Sequence, residues 1–232
     1  MKRTILAGTA LLSLMGAAFA ADLAVVEPVV QPTYAPEPIG WGGLYIGGHA
    51  GYGWANRDGY WCTPGPCDDF DYDQEGWLVG GQIGYNYMFN QNFLIGLEVD
   101  ASLADIDGTQ ISEDLAPGDG EWTWLATATA RVGYAMDRVM VYAEGGLGLG
   151  GFDYDGSLGC NFSQNRSGYV VGGGAEWKIT ERAILKAEYN YMDFGKESQL
   201  CGSLGGFLPT YTEADADMHV VKFGFNYLLG GQ

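Results

Sequence analysis

Basic residues are scarce in this chain: 11 Lys and Arg stand against 29 Asp and Glu, for a net charge of −18 at neutral pH. Such a chain repels a phosphate backbone, so nucleic-acid binding is excluded as a function class. Histidine is scarcer still, with only His49 and His219. On the strands read below they fall on opposite faces, so they do not jointly hold a haem iron, and no cofactor is expected. His219 is followed by Val220 and Val221 with no Ser nearby. The nucleophile beside a base that hydrolysis needs is missing, and no enzyme activity is expected. Long hydrophobic runs are missing too. Past the N-terminal segment no stretch of about 18 apolar residues occurs, which excludes a helical membrane span. Yet 47% of the residues are hydrophobic, so they must be dispersed.

The N-terminus carries an export signal. Lys2 and Arg3 form a charged start, Ile5 to Met15 is apolar, and Ala18-Phe19-Ala20 is an A-x-A cleavage site. Residues 1–20 therefore read as a signal peptide. Residues 21–40 contain Glu27-Pro28, Gln31-Pro32, Ala35-Pro36 and Glu37-Pro38 and read as an extended periplasmic linker, since proline cannot donate to a ladder. Residues 41–232 remain as one domain. Four cysteines in an exported chain favour disulfides over zinc. Thr63-Pro64-Gly65-Pro66 forms a tight turn that brings Cys62 and Cys67 together, leaving Cys160 for Cys201. The alternative is four free thiols.

From Gly42 onward the chain repeats a two-period strand followed by a turn signal. The strands are expected at 43–54, 76–89, 93–103, 122–136, 139–151, 168–179, 183–194 and 217–229. They exceed the roughly 5–6 residues of a soluble sheet and are long enough to cross a bilayer at a tilt. Asn90-Gln91-Asn92, Asp137-Arg138 and Thr180-Glu181-Arg182 are tight turns, whereas 55–75, 104–121, 152–167 and 195–216 are long. Short turns at one end and long loops at the other match an outer-membrane barrel with its long loops outside the cell.

Alternation alone does not say which face points inward, because a soluble lipocalin-like barrel also alternates. Two features favour the membrane. The apolar face ends in amphipathic rings, Trp54, Trp77, Trp122, Trp124, Trp177, Tyr87, Tyr134 and Tyr227, which suit a headgroup girdle. The other face is rich in glycine (Gly47, Gly51, Gly80, Gly84, Gly146, Gly148, Gly172, Gly174) with isolated charges, which suits a cramped interior. The fold class is all-β, an eight-stranded antiparallel transmembrane barrel.

The last strand, Met218 to Leu229, fits polar-x-Gly-x-x-hydrophobic-x-hydrophobic through Lys222, Gly224, Tyr227 and Leu229. This resembles the terminal signal read by the machinery that assembles outer-membrane barrels, with Leu229 where Phe is usual. Trp41-Gly42-Gly43-Leu44-Tyr45-Ile46-Gly47-Gly48, Gly80-Gly81-Gln82-Ile83-Gly84-Tyr85, Leu97-Glu98-Val99-Asp100-Ala101, Thr129-Ala130-Arg131-Val132-Gly133-Tyr134 and Lys186-Ala187-Glu188-Tyr189 follow in order. Together they resemble the small outer-membrane surface-antigen and haemin-binding barrel family, which belongs with the OmpA-type barrels. The resemblance implies eight antiparallel strands and no shared chemistry.

Two sets of residues are candidates for function. Glu98, Arg131, Glu144 and Glu188 lie about five residues in from the tight turns, Glu176 and Lys186 about three, and Lys222 faces the same way. In an interior wide enough only for side chains these charges are expected to pair as a plug that fixes register. The competing reading is a gated path for small ions. The second set is Asp68, Asp69, Asp71 and Asp73 in the first loop, with further acids at Glu113, Asp114, Asp119, Glu121, Asp153 and Asp155. Alternate oxygen ligands suit Ca²⁺ or Mg²⁺, or bridging to lipopolysaccharide phosphates, but no glycine-turn calcium motif is present and no metal ligand set is assigned. The expectation is a monomeric structural barrel of the bacterial outer membrane, touching its lipids and lipopolysaccharide, with any extracellular ligand held at the loops. The alternative is a narrow porin-like channel or a haemin or host-surface receptor.

Overall fold

A computed structural model describes residues 40–62, 67–110, 118–156, 160–201 and 210–230. The expected signal peptide and all but the end of the linker lie outside them. Eight strands follow in order: β1 (Gly43–Cys62), β2 (Cys67–Met88), β3 (Phe93–Gln110), β4 (Gly118–Met136), β5 (Val139–Gly156), β6 (Cys160–Lys178), β7 (Ala183–Cys201) and β8 (Thr210–Leu228). Each pairs antiparallel with the next, and β8 returns to β1, so the sheet closes as a barrel.

The apolar face is the outer one. Trp77 is 70% exposed, Leu103 72%, Leu147 68% and Phe223 67%, and Leu97, Val99, Val132 and Ile83 share that face. A water-facing surface does not keep so wide an apolar band; hydrocarbon does.

The strands run further than the alternation of polarity suggested. β1 extends from the expected 54 to Cys62, and β2 begins at Cys67 rather than 76. Much of each expected long loop is strand, because the alternation continues with its sense reversed. Above the membrane the outside is water, so Asp58, Asp69, Asp71, Asp73, Asp105, Asp107, Asp153 and Asp155 point out. The inward positions there are apolar and buried: Ala55, Ile106, Trp122, Phe152, Val170, Met192, Phe194, Ala216, Met218 and Val220 pack as one cluster. A second apolar cluster, Trp41, Tyr45, Leu94, Ala135, Met140, Tyr142, Ile184 and Leu228, fills the tight-turn end. Between the two lies a polar waist.

Trp122 departs from its expected place in the girdle. Two residues apart, Trp122 and Trp124 should share a face. Register shifts between Leu103 and Ile106 and between Trp122 and Trp124 mark a bulge that turns Trp122 inward, to 1% exposure.

One ladder is incomplete. β6 and β7 pair from Lys178–Ile184 up to Tyr169–Asp193 and no further. There β7 carries a register shift against β8 between Asp193 and Lys196, with Gly195 at φ 63°. Beyond it the outer part of β6 pairs with β5 and that of β7 with β8, leaving a seam between them.

Cys62 and Cys67 face each other in the register and form a disulfide at the tip of the first hairpin, as expected. Closing so short a loop stabilises by about 2 kcal/mol in the chain-entropy picture. Reduction should therefore lower the urea midpoint only modestly, and an unchanged midpoint in the Cys62→Ala/Cys67→Ala variant would refute that contribution. Cys160 opens β6 and Cys201 closes β7, but their side chains, and hence the expected second disulfide, lie outside the described residues.

Candidate functional site

The waist is built from inward positions two residues apart on neighbouring strands, which antiparallel register stacks at one level. Glu98 is its hub. Its Oε1 lies 2.5 Å from Lys186 Nζ, and its Oε2 accepts from Tyr45 OH at 2.6 Å and Arg131 Nη1 at 3.3 Å. Arg131 Nη1 also reaches Glu176 Oε1 at 3.0 Å, and its Nε donates to Asn86 Oδ1 at 3.0 Å. The guanidinium is flanked by the rings of Tyr45 and Tyr142, with centroids at 4.7 and 5.1 Å. Lys186 Nζ continues to Glu188 Oε2 at 2.5 Å, and Lys222 Nζ joins Asp100 Oδ1 at 3.1 Å and Glu188 Oε1 at 3.6 Å. His49 closes the layer between Gln82, Ser102 and Asp100. Every one of these groups is buried.

Six of the seven residues expected in the plug, Glu98, Arg131, Glu176, Lys186, Glu188 and Lys222, are thus joined by ion pairs. Glu144 is the exception. It is buried at the same level but lies within salt-bridge distance of no Lys or Arg among the described residues, and it accepts only from Thr129 Oγ1, at 3.3 Å. On β5 it stands opposite Arg131 of β4 in the register, yet its carboxylate lies among those of Glu98 and Glu188, within 4.8 Å of both, rather than against the guanidinium. Asp100 joins the waist beyond the expected set, and its two-residue spacing from Glu98 on one strand face is the signal that marks it. Tyr45 and Tyr142 carry no such signal, because their hydroxyls lie at the waist while their rings face the lower apolar layer. Their reach depends on glycine opposite: a Cβ on Gly84 would overlap Tyr45 OH, and one on Gly174 would overlap Tyr142 OH, which donates to Glu188 at 2.6 Å.

Lys222 and Gly224 of the terminal motif face the interior, and Tyr227 and Leu229 face outward. The two histidines do point to opposite sides: His49 is 6% exposed inside, whereas His219 meets Tyr189 and Tyr191 on the outer face.

The outer acids form rows rather than a loop cluster. Glu75 stands opposite Asp107, Asp107 opposite Glu121, and Glu121 opposite Asp153, four carboxylates across four strands. Asp71, Asp58 and Asp215 form a second row, ended by Lys196. Asp69, Asp71 and Asp73 share this outward face. Asp68 does not, because its odd spacing places it on the inward phase at the hairpin tip. Like charges directly opposite destabilise a sheet. Partial burial, with Asp105, Asp107 and Asp153 around it, raises the Glu121 carboxyl above the usual carboxylate range.

Comparison with known proteins agrees with this architecture. Residues 7–228 match the family model described as outer membrane protein beta-barrel domain. The chain is 32% identical over 252 aligned residues to the 31 kDa outer-membrane immunogenic protein of Brucella melitensis, covering 98% of this chain and 99% of the relative. It is 28% identical over 204 residues to the 25 kDa outer-membrane immunogenic protein of Brucella abortus, covering 85% and 87%. Among solved structures it superposes on the outer membrane protein OprG of Pseudomonas aeruginosa with a TM-score of 0.52 at 16% identity, covering 82% of this chain and 97% of that one. A closed eight-stranded barrel with an apolar outer band, matched along nearly its whole length, places this chain in the family of outer-membrane β-barrel proteins, in the bacterial outer membrane.

Proposed function

We propose that the protein is a closed structural barrel that reinforces the outer membrane, and that its rows of outer carboxylates clasp lipopolysaccharide through bridging divalent cations. The row Glu75–Asp107–Glu121–Asp153 carries this reading. Four opposed acids repel one another and need counter-ions, and they stand immediately above the apolar band, at the height of lipid headgroup phosphates. Oxygen-only ligands suit Ca²⁺ and Mg²⁺. The ion-paired waist and the two apolar layers support a structural barrel over a conducting one.

The sign of the pH effect follows from Glu121. Its carboxyl is raised in the folded barrel, so ionisation costs stability above that raised value and nothing below the unfolded value. Without divalent ions the barrel should gain stability as pH falls through this window. At neutral pH, Mg²⁺ should replace the proton. The test is thermal unfolding in lipopolysaccharide bilayers, with Mg²⁺ or EDTA, for the parent and for the Asp107→Asn/Glu121→Gln/Asp153→Asn variant. The parent should melt several degrees higher with Mg²⁺, an effect that shrinks above about 0.15 M salt, and the variant should not respond. An equal response in both, or the same response in phosphatidylcholine bilayers, would refute the clasp. Planar-bilayer recordings check the closed interior separately: porin-like conductance steps would overturn it.

A further inference from the structure

The waist matches each of its cations to carboxylates, but of two arginines nearer the outer mouth one has no salt bridge among the described residues and the other only a long one to a partly exposed glutamate. Arg57 of β1 is 5% exposed and Arg166 of β6 2%. The Arg57 guanidinium lies over the Phe152 ring, 4.2 Å from its centroid, and its buried Nε has no hydrogen-bond partner. Arg166 Nη2 donates to Ala214 O at 3.4 Å, while its Nη1 and Nε are buried without hydrogen bonds. The nearest carboxylate, Glu197, is 3.6 Å from Arg166 Nε and 42% exposed. The Tyr72 hydroxyl is also buried, beside the Arg57 guanidinium and near that of Arg166. Burial and the neighbouring Arg57 together pull Arg166 down to about 10, still charged at neutral pH. Two like charges are thus held together out of water, with Glu197 the one carboxylate within salt-bridge distance of either among the described residues.

Leaving a buried guanidinium with open donors costs more than pairing it. An arrangement that keeps two of them and a phenol is completed by an anion from outside. We propose that Arg57, Arg166 and Tyr72 form a site in the outer mouth of the barrel for a small soluble oxyanion, a phosphate or a carboxylate. Both guanidiniums offer forked N–H donors suited to such a group, and the phenol adds a third direction. The floor of the site is the upper apolar layer, through Phe152, with Tyr154 and Phe162 stacked nearby at 5.2 Å between centroids. Access is at hand, because Arg166 lies three residues above Tyr169, where the β6–β7 ladder stops. The lipid phosphates of the proposed clasp lie outside the wall, so the two sites are independent.

The test uses the full chain folded in detergent micelles and titrated with sodium phosphate or sodium benzoate at constant ionic strength, with sodium chloride as reference. Intrinsic tryptophan fluorescence and the thermal midpoint report binding. The parent should show a saturable response to at least one oxyanion that chloride does not give. Arg57→Gln and Arg166→Gln should each weaken it about tenfold or more. Tyr72→Phe removes a single hydroxyl, preserves packing, and should weaken it several-fold, so the idea stays testable if an arginine variant fails to fold. Preference for benzoate over phosphate would assign a role to the aromatic floor; the reverse preference would assign a tetrahedral ligand. No saturable response to either anion, or undiminished binding in folded Arg57→Gln and Tyr72→Phe, would overturn the proposal.

Discussion

Replacing Arg131 with alanine should destabilise the folded barrel by about 3–5 kcal/mol, the range for breaking a buried charge pair from one side. Arg131 is 1% exposed and touches Glu98, Glu176 and Asn86 at once. Its loss leaves two carboxylates facing each other without their shared cation, and opens the space between the Tyr45 and Tyr142 rings. Urea unfolding of the barrel in a bilayer measures the effect. A second variant separates charge from volume. Arg131→Met together with Glu98→Gln and Glu176→Gln removes the whole charged unit and fills most of the space, so it should recover a large part of the loss. If the alanine variant unfolds like the parent, the waist does not hold the barrel together.

Trp122→Ala should cost a similar amount, about 3–5 kcal/mol, as large aromatic truncations in packed interiors do. Trp122 packs edge-on against Phe152 with centroids 5.3 Å apart and against Phe194 at 4.6 Å, and its Nε1 donates to Gln74 Oε1 at 3.3 Å. Trp124→Ala is the control. That ring lies on the other side of the bulge, and lipid can close over the gap its removal leaves. Measured side by side, Trp122→Ala should lower stability by at least twice as much. Equal effects would place both rings on the same face and contradict the bulge.

Much of this fold was legible before any coordinates. The two-residue period of strands such as Gly80 to Tyr87, and the contrast between the two-residue turn Asp137-Arg138 and the long outer segments, are enough for eight strands and their order. The ionic waist was readable as well, since Glu98, Arg131, Lys186, Glu188 and Lys222 carry charge at inward positions of matched depth. Most of what was not legible has one physical cause. A strand is legible by period only while one face stays apolar, yet the solvent outside changes from hydrocarbon to water partway up. At that height Asp58 and Asp71 appear on the face that held Leu44 and Val79, and the inner face becomes apolar through Ala55 and Leu78. Strand therefore looked like loop. The bulge at Trp122 left no signal that a period can register, since it adds one residue without a glycine or proline to mark it. The arginine pair is hidden for the same reason as the outer strands: Arg57 and Arg166 fall in segments whose reversed polarity reads as loop, and a loop has no inward phase.

The reversal of polarity along each strand also sets the depth at which the barrel floats. A strand rises about 3.4 Å per residue, and at a tilt near 40° one residue pair corresponds to about 5 Å along the membrane normal. Sinking by that distance would draw Glu75, Asp107, Glu121 and Asp153 towards the hydrocarbon together, and carboxylates enter it only at a steep cost. Rising by the same distance would lift the upper edge of the apolar band, at Trp77 and Leu103, into water. The barrel therefore behaves like a hull with a painted waterline. A bilayer thinner or thicker than the band must itself deform to meet it, so the protein acts as a fixed gauge of local membrane thickness for whatever lipids or neighbouring barrels gather around it.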